Sequence, residues 1–228
     1  MARSVLILSG GLDSTVSAYL AQQEGELSSA VFFHYGQRAA VSERLAVTAI
    51  TERLRCPLRV LDVTWLGRFG ESALTDEDQT LPQLAAKDLD KKKPCEASAA
   101  SVWVPNRNGV FLNIAAAIAE SIGADQLVTG FNCEEAATFP DNSRDFVASA
   151  NEFFSYSTKN AVTVVSYTQD WDKTEIVRQG LKRDVPFDLI WSCYEGGAQM
   201  CGKCESCRRS VRAYQAAGIW DKMQHRFQ

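Results

Sequence analysis

Residues 5–25 of the chain, VLILSGGLDSTVSAYLAQQEG, join an apolar run to a glycine-rich turn and then to a helical pattern. The run at 5–8 predicts a buried strand, and residues 14–24 predict a helix that ends at a glycine. In an open parallel sheet, ligands bind beyond the carboxyl ends of the strands. The turn between these two elements is therefore a predicted ligand site, and its neighbours predict an α/β fold.

The same order of strand and helix continues along the chain. Further strands are predicted at 30–35, 58–63, 126–130 and 162–167, and further helices at 38–55, 109–123, 144–159 and 172–183. This alternation requires right-handed crossovers and predicts a parallel five-stranded sheet of the doubly wound, Rossmann-like type. Residues 67–101 are polar and interrupt the order, so we interpret their lysine run as a solvated loop and not as a phosphate-binding patch.

Composition places the chain among globular proteins of one domain, or of one domain with a small appendage. It has 228 residues, of which 46% are hydrophobic, and its formal net charge is −4. Its first apolar run is too short for a signal peptide, and no run approaches the ~20 residues of a membrane helix, so we expect a soluble, cytoplasmic protein without a membrane partner. The acidic net charge argues against binding to the nucleic-acid backbone, because such binding usually requires a basic face.

The residue types in the first turn suit a phosphate group. Its two glycines let the backbone approach a ligand closely, and the unpaired N–H groups at the helix start lie at the positive end of the helix dipole. Ser14 and Thr15 add hydroxyl donors to this anion site. A simpler alternative is a tight turn in which Asp13 or Ser14 only caps the helix. The turn is not a Walker A loop, which needs G-x-x-x-x-G-K-[ST], and the near match at 197–204 ends in cysteine.

The whole string SGGLDST, at residues 9–15, resembles the pyrophosphate-binding loop, or PP-loop, of ATP pyrophosphatases, which have the pattern SGG-x-DS-[ST] after the first strand. Members of this superfamily have an adenine nucleotide α-hydrolase-like fold, cleave ATP between its α and β phosphates, adenylate a substrate oxygen and release pyrophosphate. The resemblance implies that Asp13 and Ser14 are catalytic and that Asp13 helps to place Mg²⁺. It also implies that ATP is bound by Leu8, Ser9, Gly10, Gly11, Leu12, Asp13, Ser14, Thr15, Val16, Ser17 and Ala18.

Four of the seven cysteines form a cluster near the end of the chain. Their spacing is C-x7-C-x2-C-x2-C, at Cys193, Cys201, Cys204 and Cys207. Four thiolates can close a tetrahedron around Zn²⁺ with no open position, which is the structural type of zinc site. An iron–sulfur cluster and unliganded thiols are the alternatives, although the C-x3-C-P that follows in ferredoxins is absent. We expect residues 1–190 to form the α/β domain and residues 191–228 a zinc-binding region packed on it.

Several further motifs, in order along the chain, resemble those of the 7-cyano-7-deazaguanine synthases, a family of the queuosine pathway. They are FHYGQR at 33–38, VPNRNGVFLNIAA at 104–116, VTGFN at 128–132, DKTEI at 172–176, and the segment from SCY to CGKCESC at 192–207. The resemblance covers nearly the whole chain. It implies an ATP-dependent ligase that converts 7-carboxy-7-deazaguanine and ammonia into 7-cyano-7-deazaguanine (preQ0) through an acyl-adenylate, an amide and then an adenylated amide.

The resemblance also assigns roles to residues outside the PP-loop. Arg107 and Lys173 would neutralise phosphate charge during transfer, the alternatives being a surface ion pair for Arg107 and an exposed position for Lys173. The segment at 132–145 follows the fourth strand and supplies tentative base-binding residues: Asn132, Glu134, Glu135 and Asp141. This segment departs from the family pattern E-T-D-x-S-G-Y-P-D-C-R, which leaves the base-binding residues open.

Three rival functions remain open to different degrees. A tRNA-modifying PP-loop enzyme would need a tRNA-binding surface, which the short acidic chain does not suggest. A nucleotide- or DNA-binding regulator would not need the intact SGGLDST loop, whereas a relative that adenylates a different substrate is left open by the altered segment. We expect small-molecule partners and no nucleic acid, and we allow for a homodimer. Cys56, Cys95 and Cys133 receive no role, with a catalytic thiol at Cys133 as a lesser alternative.

Overall fold

A central parallel sheet of five strands dominates the computed structural model, which describes residues 2–228. The strands are β1 (Ala2–Ile7), β2 (Gly25–His34), β3 (Leu58–Asp62), β4 (Gln126–Thr129) and β5 (Thr163–Ser166). Their order in the sheet is β3–β2–β1–β4–β5, and each neighbouring pair is parallel. The predicted five-stranded α/β fold is therefore confirmed, and the strand order reverses between β1 and β4.

The helices of residues 2–228 cover both faces of the sheet. They are α1 (Leu12–Glu24), α2 (Ala40–Leu54), α3 (Lys92–Ser101), α4 (Arg107–Ile122), α5 (Cys133–Ala136), α6 (Arg144–Ser157), α7 (Lys173–Leu181), α8 (Glu205–Ala216) and α9 (Trp220–Met223). Alternate residues of a strand point to opposite faces. Leu6 and Phe32 therefore join a core with α1, α2, α7 and α8, whereas Val5 and Val31 join a core with α4 and α6. None of these helices has both the length and the apolar character that a membrane span requires.

Strand β2 is longer than the strand predicted at 30–35. It starts at Gly25, directly after α1, and its first residues pair with β1 in the register Ala2↔Gly25 and Ser4↔Leu27. These first residues are mostly polar, so their hydrophobic pattern does not indicate a strand. Backbone pairing with the neighbouring strand β1 extends β2 back to Gly25, before its apolar run begins. No local sequence pattern reveals this pairing.

We predicted that the lysine run in the polar segment at 67–101 is part of a loop. This prediction is wrong for the last part of the segment, which forms helix α3. Its lysines are exposed, which agrees with the interpretation of the lysine run as solvated. Cys95 and Ser98, however, are buried on the other side of the helix. The Ser98 hydroxyl donates a hydrogen bond to the Glu205 carboxylate of α8. Contact with a helix more than a hundred positions away therefore stabilises α3, and a local sequence pattern does not show it.

The C-terminal region shares the core of the α/β domain. Tyr214 of α8 is buried in the same apolar cluster as Val16 of α1. Its ring lies edge-on to that of Phe227, with centroids 6.3 Å apart, and a short parallel bridge joins Phe227 to Met200. Helix α8 also packs along α7. The residues at 191–228 therefore pack on the face formed by α1 and α7, where the cysteine cluster lies.

Candidate functional site

A cavity of about 260 Å³, the main cavity, opens where the carboxyl ends of β1, β2 and β4 meet. The strand order reverses at this point, and open α/β sheets bind ligands there. The PP-loop forms one wall with Asp13 and Ser14, and Arg107, Glu135 and Lys173 contribute from other elements. The structure therefore brings the four predicted catalytic residues into one cavity.

Two glycines let three elements meet at the start of α1. Gly10 has a φ of +78°, and a Cβ atom there would lie 2.9 Å from the Cβ of Ala46 in α2. Gly130, directly after β4, is tighter still, since a Cβ would lie 2.4 Å from the backbone nitrogen of Ser14. Both positions therefore need glycine, which has no Cβ. This close approach sets the start of α1 at the edge of the cavity.

Hydroxyl groups hold the PP-loop in shape, and neither Asp13 nor Ser14 caps the start of α1. The Ser9 and Ser14 hydroxyls lie 3.0 Å apart, and the Ser9 backbone N–H donates to Ser14 Oγ at 3.3 Å. Gly11 is the N-cap residue and has no side chain, so the alternative in which Asp13 or Ser14 only caps the helix is wrong. The Leu12 N–H donates to the Ser192 hydroxyl at 3.4 Å, whereas the next N–H groups of α1 and the helix dipole are left to bind an anionic group.

The last four residues of the predicted nucleotide-binding set lie outside the lining of the main cavity. Thr15, Val16, Ser17 and Ala18 are all buried. The Thr15 hydroxyl donates to the Gly11 carbonyl at 2.7 Å, and the Ser17 hydroxyl donates to the Thr129 carbonyl at 2.6 Å. The prediction that the Thr15 hydroxyl serves a ligand is therefore wrong. These four side chains therefore belong to the interior of the domain and not to the main cavity.

Lys173 lies at the centre of the charged groups of the cavity. It begins α7, after Asp172 caps the helix by accepting a hydrogen bond from Glu175 N at 2.7 Å. Its side chain is 4% exposed, and Nζ donates to Asp13 Oδ2 at 2.6 Å and to Glu135 Oε1 at 2.8 Å. Burial alone would lower the pKa of Lys173, but the two carboxylates outweigh burial and raise it, so the amine stays protonated. The alternative of an exposed Lys173 is wrong.

Asp13 ties the PP-loop to this lysine. Burial raises the pKa of Asp13 to about 6; the attraction of Lys173 opposes the rise, and repulsion from Glu135 adds to it. The Oδ2 atom of Asp13 is bonded to Lys173, but Oδ1 is buried without a hydrogen-bond partner in residues 2–228. A buried carboxylate oxygen needs a donor or a cation. It therefore fits either a ligand group or Mg²⁺ bound together with ATP.

Arg107 begins α4 and lies beside an aromatic wall. Its Nη1 donates to the Tyr35 hydroxyl at 3.0 Å, and its guanidinium carbon lies 5.2 Å from the centre of the same ring. The rings of Phe33 and Phe111 stack with centroids 4.1 Å apart and planes 5° apart. All four residues line the main cavity. Arg107 is therefore paired with a tyrosine and not with a surface acid, and a cation beside flat apolar rings suits a planar anionic ligand.

Glu43 is a cavity residue without a distinctive sequence signal. It lies in the first turn of α2, where Gln37 Nε2 donates to Glu43 Oε2 at 2.8 Å and to the Phe33 carbonyl at 3.1 Å. Burial raises the pKa of Glu43 to about 7, although the Gln37 hydrogen bond and Arg107 oppose the rise. The motif FHYGQR marks this region, but nothing in the spacing points to Glu43. Only the fold places its carboxylate in the cavity.

The tentative base-binding residues occupy different positions. Glu135 alone among the four lines the main cavity. Asn132 is buried and caps α5, because its Oδ1 accepts a hydrogen bond from Glu135 N at 2.9 Å. The Oε1 atom of Glu134 accepts hydrogen bonds from Arg209 at 2.6 Å and from Arg212 at 2.7 Å. Asn132 and Glu134 therefore hold the segment in place, which corrects their assignment to the base.

Asp141 lies beside the main cavity and outside its lining. Its carboxylate accepts a hydrogen bond from the Asn142 amide at 3.3 Å, and its carbonyl accepts one from Asn108 at 3.3 Å. Asn108 and Asn142 both line the cavity. Burial raises the pKa of Asp141, and the nearby Arg107 opposes the rise. Two amides and one carboxylate are therefore gathered at the Arg107 side of the cavity.

The four clustered cysteines converge in space as well as in sequence. The sulfur atoms of Cys193, Cys201, Cys204 and Cys207 all lie within 4.8 Å of one another. A tetrahedral site with Zn–S bonds of about 2.3 Å places its sulfur atoms about 3.8 Å apart. The sulfurs of Cys201 and Cys207 lie 3.9 Å apart. These residues therefore fit a metal site with four thiolate ligands.

Backbone N–H groups surround two of these sulfur atoms. Cys193 Sγ accepts hydrogen bonds from Glu195 N and Cys201 N, each at 3.3 Å. Cys201 Sγ accepts hydrogen bonds from Lys203 N at 3.4 Å and from Cys204 N at 3.3 Å. Hydrogen bonds of this kind orient metal ligands and offset part of their negative charge.

The other cysteines lie apart from both sites. Cys56 and Cys95 are buried, and Cys133 is exposed at the start of α5, outside the lining of the main cavity. Burial raises the pKa of the Cys133 thiol, and the acids Asp172 and Glu134 add to the rise. A nucleophilic thiolate is therefore disfavoured at this position, and the geometry does not support a catalytic thiol there.

Comparison with known proteins places the chain in one family. The sequence model of the family described as "Queuosine biosynthesis protein QueC" matches residues 3–218. The chain is 51% identical over 217 residues to the 7-cyano-7-deazaguanine synthase of Pelotomaculum thermopropionicum, which covers 95% of this chain and 98% of that protein. A protein of the same name from Bdellovibrio bacteriovorus is 51% identical over 216 residues, 94% of either chain. Another from Methanosarcina mazei is 44% identical over 227 residues, 98% of either chain.

Similarity to solved structures is weaker. A 4-thiouridine synthetase in complex with RNA and bound ATP has 21% identity and a TM-score of 0.48, covering 98% of this chain and 52% of that chain. A similarity at this level does not bear on function. The family match, in contrast, extends over nearly the whole chain and includes the motifs that meet in the cavity. The chain therefore belongs to the QueC family of queuosine biosynthesis proteins.

Proposed function

We propose that the chain is the ATP-dependent synthase that converts 7-carboxy-7-deazaguanine and ammonia into 7-cyano-7-deazaguanine in queuosine biosynthesis. The observation that carries this proposal is the cavity in which the PP-loop, Lys173 and Arg107 meet, in a chain whose relatives over nearly full length are named 7-cyano-7-deazaguanine synthase. The cavity supplies what adenylate formation requires: donors for phosphate oxygens, cations, and apolar walls for planar ligands.

The PP-loop is assigned to the β and γ phosphates of ATP, which leave together as pyrophosphate. The free N–H groups of α1 and the Ser14 hydroxyl donate to them, while Lys173 and Arg107 offset the negative charge that moves onto the leaving group. Mg²⁺ supplies further charge compensation when it is bound with ATP, and Asp13 Oδ1 is the buried atom that would hold it. These interactions strengthen as charge develops, which lowers the barrier.

Adenylation activates first the acid and then the amide. A carboxylate oxygen of the acid attacks the α-phosphorus, the bond to pyrophosphate breaks, and the acyl-adenylate forms. Ammonia then forms a C–N bond to the acyl carbon, and AMP leaves with the electron pair of the broken C–O bond. A second ATP adenylates the amide oxygen, and loss of AMP and two protons gives the nitrile. In each case AMP replaces oxide, which is a poor leaving group.

The base of the acid substrate is assigned to the side of the main cavity near Asp141. A guanine-like base has N–H groups that need oxygen acceptors, and Asp141, Asn142 and Asn108 bring acceptors to this side. Phe131 and Phe139 line the same cavity and add apolar surface. Glu135, which is bonded to Lys173 beside the PP-loop, lies on the side of the reacting groups instead.

The cysteine cluster is assigned to one structural Zn²⁺. Four thiolates fill every position of a tetrahedral site and leave none for substrate or water. Sulfur atoms that all lie within 4.8 Å of one another suit a single ion and are too close for a cluster of several iron atoms. Bound Zn²⁺ would tie the exposed loop before α8 to the α/β domain, so that residues 191–228 act as one zinc-binding region packed on residues 1–190.

Incubation of the purified protein with ATP, ammonium and 7-carboxy-7-deazaguanine tests the proposal. We expect mass spectrometry to show the nitrile, and chromatography to show AMP and pyrophosphate as the nucleotide products. ADP and orthophosphate as the only products would overturn the PP-loop assignment. AMP formation without amide or nitrile would overturn the assignment of this acid as the substrate.

All reactants in this proposal are small molecules, and the homodimer and the absence of a nucleic-acid partner stay predictions. Light scattering with and without added tRNA checks both of them. The expected result is a mass of two chains that tRNA does not change.

A further inference from the structure

A second cavity, the small cavity, adjoins the main cavity on the side of the C-terminal region. Its volume is about 10 Å³, close to the space that one water-sized molecule requires. Glu135, Phe139, Tyr194 and Ser206 line both cavities, so these side chains are the partition between them. A small molecule held there would lie next to the reactants in the main cavity.

Most charged groups around the small cavity already have partners. Glu134 accepts hydrogen bonds from Arg209 and Arg212, at 2.6 and 2.7 Å. Glu205 accepts one from Arg209 Nε at 2.9 Å and one from the Ser98 hydroxyl. The two carboxylates and the two guanidinium groups neutralise one another. They therefore fix the walls and leave no net charge that calls for a metal ion.

Glu135 differs from these acids because it lines both cavities and one of its two carboxylate oxygens has no hydrogen-bond donor in the described part of the chain. Its Oε1 accepts the Lys173 ammonium at 2.8 Å, which holds the carboxylate in place, and its Oε2 has no hydrogen-bond donor among residues 2–228. Tyr194 and Ser206 add hydroxyl groups to the same partition. The residues that line the small cavity therefore include one carboxylate and two hydroxyl groups, beside a space of the size of one water molecule.

We propose that the small cavity binds ammonia, the nitrogen nucleophile, next to the acyl-adenylate; this inference rests on the proposed function. Ammonia is about as large as water, but it has three N–H donors, whereas water has two O–H donors. A partition of three oxygen acceptors therefore favours ammonia over water. The preference matters because water in this position would hydrolyse the acyl-adenylate.

The Oε2 atom of Glu135 can also accept the proton that amide formation releases. The nitrogen lone pair forms a bond to the acyl carbon, and the C–O bond to AMP breaks with its electron pair leaving on AMP. One N–H proton passes to Glu135 Oε2, from which it exchanges with solvent. Acyl-adenylate and ammonia thus give amide, AMP and one proton, and no further reactant is needed. Lys173 keeps the carboxylate in position by holding Oε1.

Kinetics that separate the two half-reactions test the inference. Exchange of labelled pyrophosphate into ATP, with 7-carboxy-7-deazaguanine and without ammonium, measures adenylation alone. Amide and nitrile formation at varied ammonium concentration gives the KM for ammonium. We expect Ser206→Ala and Tyr194→Phe each to raise this KM about fivefold, as the loss of one hydrogen bond should, and to change it by a larger factor than they change the exchange rate.

Ser210→Ala is the matched control for Ser206→Ala. Ser210 lies one helical turn after Ser206 on α8 and is buried, but it lines neither cavity. This variant removes the same hydroxyl from the same helix, so it should keep the wild-type KM for ammonium. Thermal melting of all three variants verifies that they are folded.

The size of the amine that the enzyme accepts provides a second measurement. A purely structural role of the partition would not change this size limit. Methylamine is one carbon larger than ammonia, and a cavity of about 10 Å³ has no space for it. The wild type should therefore form almost no N-methylamide. Phe139→Ala removes part of the partition and should raise the ratio of N-methylamide to amide about tenfold or more over the wild type.

An unchanged KM for ammonium in both hydroxyl variants, with pyrophosphate exchange retained, would overturn this inference and leave the proposed function intact. Wild-type use of methylamine at the rate of ammonia would overturn it as well. Absence of exchange in the wild type would instead reject 7-carboxy-7-deazaguanine as the substrate, and with it both the proposed function and this inference.

Discussion

Lys173 shows how one residue combines structure and chemistry in this cavity. Its side chain is 4% exposed, and it neutralises two carboxylates from different elements, Asp13 of the PP-loop and Glu135 of α5. A complete buried ion pair adds little net stability, but breaking one by removing a partner costs several kcal/mol. Lys173 therefore fixes the relative position of the PP-loop, α5 and α7, and it places a cation beside the proposed phosphate site.

At Ser14 we expect a large loss of activity with little change in stability. Ser14 lines the main cavity, and its hydroxyl bonds only within the loop, 3.0 Å from Ser9 Oγ and 3.4 Å from the Gly11 carbonyl. Ser14→Ala removes a donor to the departing phosphates, so kcat/KM for ATP should fall about 10²-fold while Tm changes by a few degrees at most. Thr15→Ala is the control, because its hydroxyl serves the helix: it should lose stability and retain more activity. Wild-type kcat/KM in Ser14→Ala would contradict the loop assignment.

Glu43 makes the stability of the fold depend on pH. Burial raises its pKa from 4.5 to about 7, so between these values the folded chain holds a proton that the unfolded chain has lost. The free energy of unfolding therefore falls as pH rises from 4.5 to about 7, and the cost of the buried charge persists above that range. Glu43→Gln should remove this cost, with a gain of about 1–3 kcal/mol at pH 8 and none near pH 4.5.

Urea unfolding of the wild type and of Glu43→Gln at both pH values measures this difference. The Gln37 amide can still donate to the new side chain, so the hydrogen bond itself is preserved. An equal gain in stability at both pH values would show that charge is not the cause.

Among the elements, α5 depends most on its neighbours. It has only four residues, too few to be stable by its own hydrogen bonds. Glu135 pairs with Lys173 of α7, and Glu134 pairs with Arg209 and Arg212 of α8 while its other oxygen accepts a hydrogen bond from Lys173 N at 3.1 Å. Ion pairs from two longer helices therefore set the position of α5 at the cavity edge.

We expect Glu134→Ala to weaken the fold more than it weakens ATP binding. Arg209 and Arg212 lose one partner but keep Glu205 and Asp90, so the free energy of unfolding should fall by about 2 kcal/mol, less than for a fully orphaned charge. Glu134 is outside the lining of the main cavity, so KM for ATP should stay within about twofold. Urea unfolding and steady-state kinetics measure the two effects.

The matched control is Glu135→Ala, one position along the same helix. It should reduce turnover strongly, because Glu135 faces the reactants and holds Lys173. Unchanged stability in Glu134→Ala, or a KM for ATP raised about tenfold, would refute the structural role of Glu134.

On the scale of the whole molecule, the C-terminal region closes the cavity that the sheet opens. Trp191, Ser192 and Tyr194 line the main cavity, although they follow the last strand by more than twenty positions. The loop that follows them is exposed at residues 196–199 and contains two glycines, so packing alone does not hold it. The cysteine cluster lies directly beside this loop, and Gly197 N also donates to the Ser42 hydroxyl of α2 at 3.1 Å.

We expect one Zn²⁺ per chain. Substitution of one of its ligands should lower the stability of the fold before it lowers the affinity for substrate. Cys204→Ser should lower Tm and soluble yield, because the binding energy of a structural metal is partly folding energy. Cys56→Ser changes a buried cysteine outside the cluster and should retain the metal. Elemental analysis of protein purified without oxygen, together with thermal melting, measures both. Stoichiometric iron with inorganic sulfide, or active protein without metal, would contradict the zinc assignment.

The sequence by itself determined the fold class and the motifs whose residues lie close together in the chain. Alternating strand and helix patterns predict a parallel sheet with its site beyond the strand ends, because crossovers in such sheets have one hand. The string SGGLDST and the spacing of four cysteines are visible because the residues that act together lie within one short segment. The resemblance of DKTEI at 172–176 to a family motif implied the role of Lys173, since that motif also lies within one short segment.

The tertiary structure decided whatever depends on neighbours distant in sequence. It bonded the Thr15 hydroxyl to the Gly11 carbonyl, paired Glu134 with an arginine 75 positions away, made a helix of Lys92–Ser101, and placed Glu43 in the cavity. A hydrogen bond or ion pair between distant residues leaves no local pattern, because its strength comes from burial, and burial is set only when the chain has folded.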